Sequence, residues 1–430
     1  MDSSSIKKRL KALKTEKGIA SRTVGEARKA GQPIDEAVRR VQAISQQIRD
    51  LEQQLAEMKR PAGDPPSSIR KPNAMPPQFT TLEPVSGRAE SLQVEQDIPA
   101  DEWDHWVEQH PRATHYHHSS IRRVIEHSFG HRAHYLAARD REGRIHGVLP
   151  LIEMKSRLFG HFLVSVPFFN YGGLLADSHA AREVLLRAAA GRAEVLGVEH
   201  IELRHCHDDL DLPSRSEKVA MLRTLPATAE QLWSDIGSKV RAQVKKARGY
   251  GLSTAIGREE LLADFYRVFS HNMRDLGTPV YGIELFRNML AECPSSYLVL
   301  VYREGKPVSG GFLLGWRNTL EIPWASTLRS ANRYDANMLL YWTVLESAIE
   351  RGYAVFDFGR SSRDSNTLRF KKQWGARPQP LYWHYWLPEG QALPELNPNN
   401  PKFRLMVAAW KRLPVPVARL LGPHIVSKIP

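Results

Sequence analysis

The chain has 430 residues, enough for two domains with ordinary cores plus appendages, and its 42% hydrophobic and 25% charged residues are globular in balance. A net charge of +13 favours polyanionic partners such as RNA, anionic lipid or phosphorylated carriers, and excludes nothing about the fold. Two distant cysteines, Cys206 and Cys293, exclude a disulfide framework, and no run approaches the ~20 apolar residues of a membrane span, so a cytoplasmic chain is expected.

Residues 1–60 carry 14 Lys/Arg against 8 Asp/Glu. Ile34, Val38, Val41, Ile44, Ile48, Leu51, Leu55 and Met58 recur at three and four, one face of a helix. Ile6, Leu10, Leu13, Ala20, Val24 and Ala27 make a weaker seam upstream. Gly31 and Pro33 end one helix and start the next, so the segment predicts a basic antiparallel coiled-coil hairpin. RNA contact and dimerisation both suit it. Residues 61–89 are Pro-rich and aperiodic, the pattern of a linker.

A first domain is expected over 90–224. Helices are predicted at 103–110, 119–130 and 180–196, with strands at 135–139, 145–154, 161–166 and 200–204. Between them lies Asn170-Tyr171-Gly172-Gly173, where two glycines permit close approach of a ligand or a tight bulged turn. The histidines at 115, 117, 118, 131 and 134 lack acid or cysteine partners at ligand spacing; they are read as surface or core residues, and no metal site is assigned.

A second domain is expected over 225–396. It opens with a helix over 230–251 whose Lys239, Arg241, Lys245, Lys246 and Arg248 have no acid among them, above a narrow stripe of Val240, Val244 and Ala247. Five unrelieved cations suit phosphate or RNA binding. Helices at 261–276 and 283–292, a hairpin across 303–306, a strand at 321–327 and a helix at 337–351 follow. The tail 397–430 places Phe403, Met406, Val407 and Trp410 on one helical face, with six Lys/Arg and no acid over 401–430. This suits peripheral contact of residues 401–421 with a membrane surface, or packing on the second domain.

The stretch 352–386 holds the densest chemistry. A strand, 353–358, runs into the loop Gly359-Arg360-Ser361-Ser362-Arg363-Asp364 and then Arg369-Phe370-Lys371-Lys372-Gln373-Trp374-Gly375. Lys371 or Lys372 can put a cation at an oxyanion; Arg360 and Arg363 suit bidentate anion recognition; Asp357 can orient Arg360, accept a proton or serve a buried salt bridge.

The runs DFGRSS and RFKKQWG, with Asn170 to Gly173, the basic helix and the run 399–423, resemble the Fem-type family of peptidyl and aminoacyl transferases, closest to its exosortase-associated (PEP-CTERM) branch. The N-terminal hairpin resembles the arm of seryl-tRNA synthetases. The resemblance implies an α/β (α+β) fold of two tandem acetyltransferase-like (GNAT) domains. It implies amide formation on a cell-wall or exopolysaccharide precursor, with tRNA as partner and aminoacyl-tRNA as donor, so no bound cofactor. It also implies a lysine within the RFKKQWG element, Lys371 before Lys372, and substrate contacts from Asn170, Tyr171, Gly172, Arg360, Ser361, Arg363 and Trp374. Two other functions stay open: an acyl-CoA-dependent N-acyltransferase, against which the loop 328–337 has no glycine, and a non-catalytic RNA-binding or scaffold protein.

Overall fold

The computed structural model describes residues 92–394 except 158, residues 401–429 (backbone alone for 401–405), Phe79, and single positions between 9 and 51. Residues 1–71 and 72–430 form two compact units. In the first, the described positions of 9–19 and 36–51 are helical, and Leu10, Leu13 and Ile44 are buried. Arg40 donates to Glu16 at 3.3 Å, pairing residues from the two expected helices; the turn between them lies outside the described residues. Of the expected linker only Phe79 is described, and it packs edge-on against Tyr171 with ring centroids 5.8 Å apart. The ring is half-buried, and its contact with Tyr171 lies within the second unit.

The second unit is built on two sheets. The first runs β1 (Gln93–Gln96), β2 (Ala133–Arg139), β3 (Ile145–Ser156), β4 (Gly160–Val164), β6 (Ile201–His205), β15 (Tyr382–Trp386) and β7 (Ser214–Arg215), with β5 (Leu175–Ala176) beside β3. The second runs β14 (Arg377–Pro380), β8 (Lys218–Thr224), β13 (Val355–Ser362), β12 (Thr319–Thr327), β11 (Lys306–Trp316), β10 (Ser296–Arg303) and β9 (Leu252–Gly257). The β10–β11 turn places Glu304 and Gly305 at φ 52° and 73°, the two positive values that a tight hairpin of right-twisted strands needs.

Helices α1 (Ala100–Gln109), α2 (Ser119–Phe129) and α3 (His179–Leu196) belong to the first half. Helices α4 (Ala229–Asp235), α5 (Ser238–Gly249), α6 (Leu262–Leu276), α7 (Ile283–Glu292), α8 (Ala336–Glu350) and α9 (Asn366–Gln373) belong to the second. Helices α10 (Pro401–Trp410) and α11 (Val415–Val426) close the chain. The single helix expected over 230–251 is two, because Ile236-Gly237 breaks it and Gly237 starts α5. Helix α8 is buried on all sides, as its unbroken run Met338 to Leu345 requires.

Three cores result. Leu149, Leu163, Leu185 and Leu203 pack α3 on the first sheet. Leu313, Leu320, Phe356 and Phe358 pack α4, α5, α8 and α9 on the second. The third joins both halves through Tyr116, Phe169, Leu222, Phe265, Phe286 and Phe312.

The boundary expected at 224/225 does not follow the sheets. Strand β8, from the expected first domain, lies between β13 and β14, and β15 returns from the expected second domain to pair with β6. A histidine relay fastens β15. Leu174 N–H donates to His205 Nε2 (2.9 Å), so His205 carries its proton on Nδ1, which faces His384 Nδ1 at 3.3 Å; His384 Nε2 in turn meets Asp208 at 2.9 Å. The chain of donors closes only if both rings are neutral.

Burial lowers the pKa of His205 and His384, and drives His110 and His115 to about 3 and His117 to about 4. Unfolded histidines take up protons near pH 6.5 and these do not, so their contribution is complete above that pH and is lost as pH falls below it. His110, His115 and His117 each remove up to about 1.4 kcal/mol per pH unit there, and His205 and His384 act in the same direction. The melting temperature is therefore expected to drop between pH 7 and pH 5 in a thermal scan; a flat profile would show that these rings are not held neutral.

Candidate functional site

The site begins where two strands part. Parallel β12 and β13 pair only at Thr319↔Val355, Leu320↔Phe356 and Glu321↔Asp357. Beyond this point β13 is bulged against β8, with the register shifting between Asp357 and Arg360 and Gly359 at φ 73°. A side chain at 359 would be strained in that left-handed conformation. The divergence opens a cavity of about 290 Å³ bordered by Pro323 and Trp324 from β12 and by Phe358, Gly359 and Arg360 from β13. Lys371 of α9 reaches the same place and donates to the carbonyls of Gly359 (3.0 Å) and Arg360 (2.9 Å). Its ammonium has three donors, and these two carbonyls take two.

At the last paired rung, Glu321 and Asp357 stand side by side, 7% and 1% exposed. Tyr116 O–H donates to Glu321 Oε2 at 2.7 Å, and Asn170 Nδ2 to Glu321 Oε1 at 3.1 Å. Tyr171 O–H donates to Asp357 Oδ2 at 2.6 Å, and Gly359 N–H to Asp357 Oδ1 at 2.7 Å. The acids and the lysine come from the second half, and the two tyrosines and the asparagine from the first. Burial, and then the neighbouring Asp357, raise Glu321 to about 8; burial raises Asp357 to about 6, against its two donors. Burial lowers Lys371 to about 8 while both carboxylates oppose the shift. Near neutral pH the cluster therefore holds a proton on Glu321, a charge on Asp357 and a largely charged Lys371.

Asn170, Arg360 and Lys371 line the cavity; Asp357 and Tyr171 lie behind it in one hydrogen bond. Arg360 is exposed, its guanidinium 5.2 Å from the Trp383 ring, and no carboxylate among the described residues pairs with it. Arg204 packs on the same ring at 4.4 Å but is neutralised by Glu202 at 2.8 Å.

Other expected residues lie elsewhere. Gly172 serves its own turn: φ is 122° and a Cβ would lie 2.5 Å from Val166 Cγ2. Trp374 is fully buried against Tyr341 of α8, because its side chain belongs to the core. Lys372, one position round α9 from Lys371, is exposed. Ser361 is buried on β13 without bordering the cavity, and Arg363 is exposed with Nε 3.3 Å from the Ser216 carbonyl.

The basic helix is partly occupied as well. Arg241 donates to the carbonyls of Trp233 (3.2 Å) and Ser234 (3.3 Å), Lys246 pairs with Asp335 at 3.2 Å, and Arg248 lies 6.0 Å from the Trp233 and Trp342 rings. Lys239 and Lys245 remain exposed on its outer side. Trp410, for which both a membrane-surface contact and packing on the second domain were open, is buried, 9% exposed, with the core that joins the halves.

Sequence reasoning missed Tyr116 and Glu321. Tyr116 sits in a short turn, His115–His117, with no periodicity to mark it. Glu321 did leave a signal, as the one acid in the apolar run Leu320-Glu321-Ile322-Pro323-Trp324.

Residues 237–372 match the acetyltransferase (GNAT) domain. No curated protein matches the chain in sequence. Among solved structures, FemX is similar at 15% identity and TM-score 0.53, over 73% of this chain and 100% of that one. A conserved protein of unknown function from Bacteroides thetaiotaomicron is similar at 8% identity and TM-score 0.50, over 69% of this chain and 100% of that one. These likenesses carry the fold: a GNAT domain in the second half and a Fem-like arrangement of two sheets.

Glu321 binds its proton more tightly folded than unfolded, so its contribution to stability is lost as pH rises from 4.5 through about 8. Glutamine removes that loss, and either Tyr116 or Asn170 can reverse its hydrogen bond to accept from the amide nitrogen while the other goes on donating to the amide oxygen. Glu321→Gln is expected to melt at least ~2 °C higher than the parent at pH 8.5, with the gap shrinking toward pH 5. A variant that melts lower at pH 8.5 would show that Glu321 is stabilised there as the anion.

Proposed function

We propose that the chain is an N-acyltransferase that forms an amide on an anionic cell-surface glycan precursor at the cytoplasmic face, with aminoacyl-tRNA as donor. The observation that carries this reading is the Glu321–Asp357–Lys371 cluster, joined to the cavity through Tyr116 and Asn170 where β12 and β13 separate.

Amide formation requires loss of a proton from the acceptor amine and stabilisation of a tetrahedral oxyanion. Glu321, with its pKa near 8, is matched to an amine, and once it has given its own proton to solvent it takes the amine's proton through the Tyr116 hydroxyl. The amine nitrogen then forms its bond to the acyl carbon. The third N–H of Lys371 and its charge face the oxyanion. When the acyl–oxygen bond breaks, the leaving hydroxyl recovers the proton held by Glu321. Arg360, exposed beside Trp383, suits the phosphate or carboxylate of the acceptor.

Aminoacyl-tRNA is favoured over acyl-CoA by the start of α8. The segment from 328 to 337 contains no glycine, and Asp335 sets a carboxylate at the N-terminus of the helix, paired with Lys246 at 3.2 Å. A helix N-terminus attracts a pyrophosphate, and an acid standing there repels it. Exposed Lys239 and Lys245 and the basic 1–60 segment suit tRNA.

Purified protein incubated with labelled aminoacyl-tRNA or acyl-CoA and lipid-linked aminosugar or peptide acceptors tests the reading. Transfer is expected from aminoacyl-tRNA and should be abolished by RNase; RNase-resistant, CoA-dependent transfer would replace the donor. Lys371→Ala and Glu321→Gln are each expected to lower kcat about 10²-fold or more, and Arg360→Ala to raise KM for the anionic acceptor with kcat little changed. Wild-type rates in both catalytic variants would remove the mechanism.

A further inference from the structure

We propose that α10 and α11 form a docking face for an anionic membrane surface beside the cavity, an inference independent of the acyl-transfer reading. Helix α11 is apolar on two sides. Val415, Ala418, Gly422 and Val426 are buried, while Val417, Leu420 and Leu421, spaced three and four apart, are 37%, 68% and 43% exposed. On α10, Met406 and Val407 are 52% and 37% exposed. Leu276, 54% exposed, ends α6 next to Gly277, where a Cβ would lie 2.6 Å from Val407 Cγ1. Five exposed apolar side chains on two consecutive helices, with a sixth beside them, are more than a scatter of single surface residues.

The face is rigid. Arg419 donates to Ser270 Oγ at 2.8 Å, Arg274 to the Leu413 carbonyl at 2.6 Å, and His131 Nε2 lies 2.7 Å from the Ser427 carbonyl. A Cβ on Gly422 would lie 2.5 Å from the Val280 carbonyl oxygen, so α11 is pressed onto the backbone beneath it. The exposed leucines are thus held outward by a docked helix.

Charge selects the occupant. Residues 401–430 contain six Lys/Arg and no acid, and Lys411 and Arg412 are exposed. A second copy would press two such tails together, whereas an anionic bilayer offers an apolar interior below negative headgroups. Among the described residues no helix is long and apolar enough to cross a membrane, so the contact is interfacial. Val426 of α11, with Met273 and Thr278 from α6 and just beyond it, borders the cavity. Docking this face would therefore hold one wall of the cavity at the bilayer surface, within reach of an acceptor carried on a lipid.

The 430-residue chain is floated with vesicles of phosphatidylcholine alone or with phosphatidylglycerol, at low and high salt. Binding to the anionic vesicles is expected, and salt should weaken it. The basic N-terminal segment supplies a background of its own, so the decisive comparison is Leu420→Glu/Leu421→Glu, which should bind at least tenfold more weakly with an unchanged melting temperature. Lys411→Glu/Arg412→Glu should weaken binding in the same direction. The proposal is overturned if anionic vesicles are not bound or if the leucine variant binds as the parent does. It is equally overturned if light scattering finds a parent dimer that the leucine variant breaks.

Discussion

Glu321 and Asp357 face one another across the last rung of a three-residue parallel ladder, and the surrounding structure answers the problem they pose. Two carboxylates removed from water at neighbouring positions repel each other, and each ion alone would cost several kcal/mol to bury. Four donors relieve them: Tyr116 and Asn170 on one, Tyr171 and the Gly359 N–H on the other. Three of these four come from the opposite half of the protein. The ring of Tyr116 is held by stacking on Phe169 at 4.6 Å, so its hydroxyl is aimed by the core that joins the halves. A loose interface between halves would leave buried acids without donors, and a pair of buried acids is what makes looseness costly.

The two halves are interlocked by more than side chains. Each lends the other a strand: β8 to the second sheet and β15 to the first. Next to the β11–β12 hairpin, Arg317 donates to the carbonyls of Val107, Glu108, His110 and Pro111, capping the last turn of α1 with one guanidinium. Trp316 adds a bond to the Ala113 carbonyl at 2.9 Å. Helix α1 thus finishes on a residue of the other half, close in sequence to the turn that carries Tyr116. The donors that serve Glu321 are therefore positioned by the same contacts that hold the halves together.

Where periodicity is local, the sequence was legible. Helix α7 falls where its apolar spacing predicts, 283–292, and the β10–β11 hairpin turns at 303–306. Strand exchange was not legible, since β8 and β15 are short and nothing in Lys218–Thr224 says which sheet will accept it. The choice between Lys371 and Lys372 could be read from helix geometry: Leu368 and Lys371 are three apart and both buried, leaving Lys372 outside. Trp374, which the resemblance implied as a substrate contact, instead completes the core under Tyr341 and Phe370, a placement that its neighbours in sequence do not reveal. The five cations of α5 were counted without their partners, one of which, Asp335, is distant in sequence and adjacent in space.

The charge count of the cluster constrains how an amine can use it. With Glu321 protonated, Asp357 and Lys371 cancel, and the buried assembly is close to neutral. An acceptor amine arriving as an ammonium would make it positive in a place poor in water, where an uncompensated charge is expensive. Neutrality returns if Glu321 gives its proton to solvent as the ammonium enters, which leaves an anionic base one tyrosine hydroxyl from the cavity. Substrate binding would then generate the base and release a proton in the same step. The same arrangement keeps Glu321 from standing as an unpaired anion in the empty site, and so reconciles a buried acid pair with a stable interface.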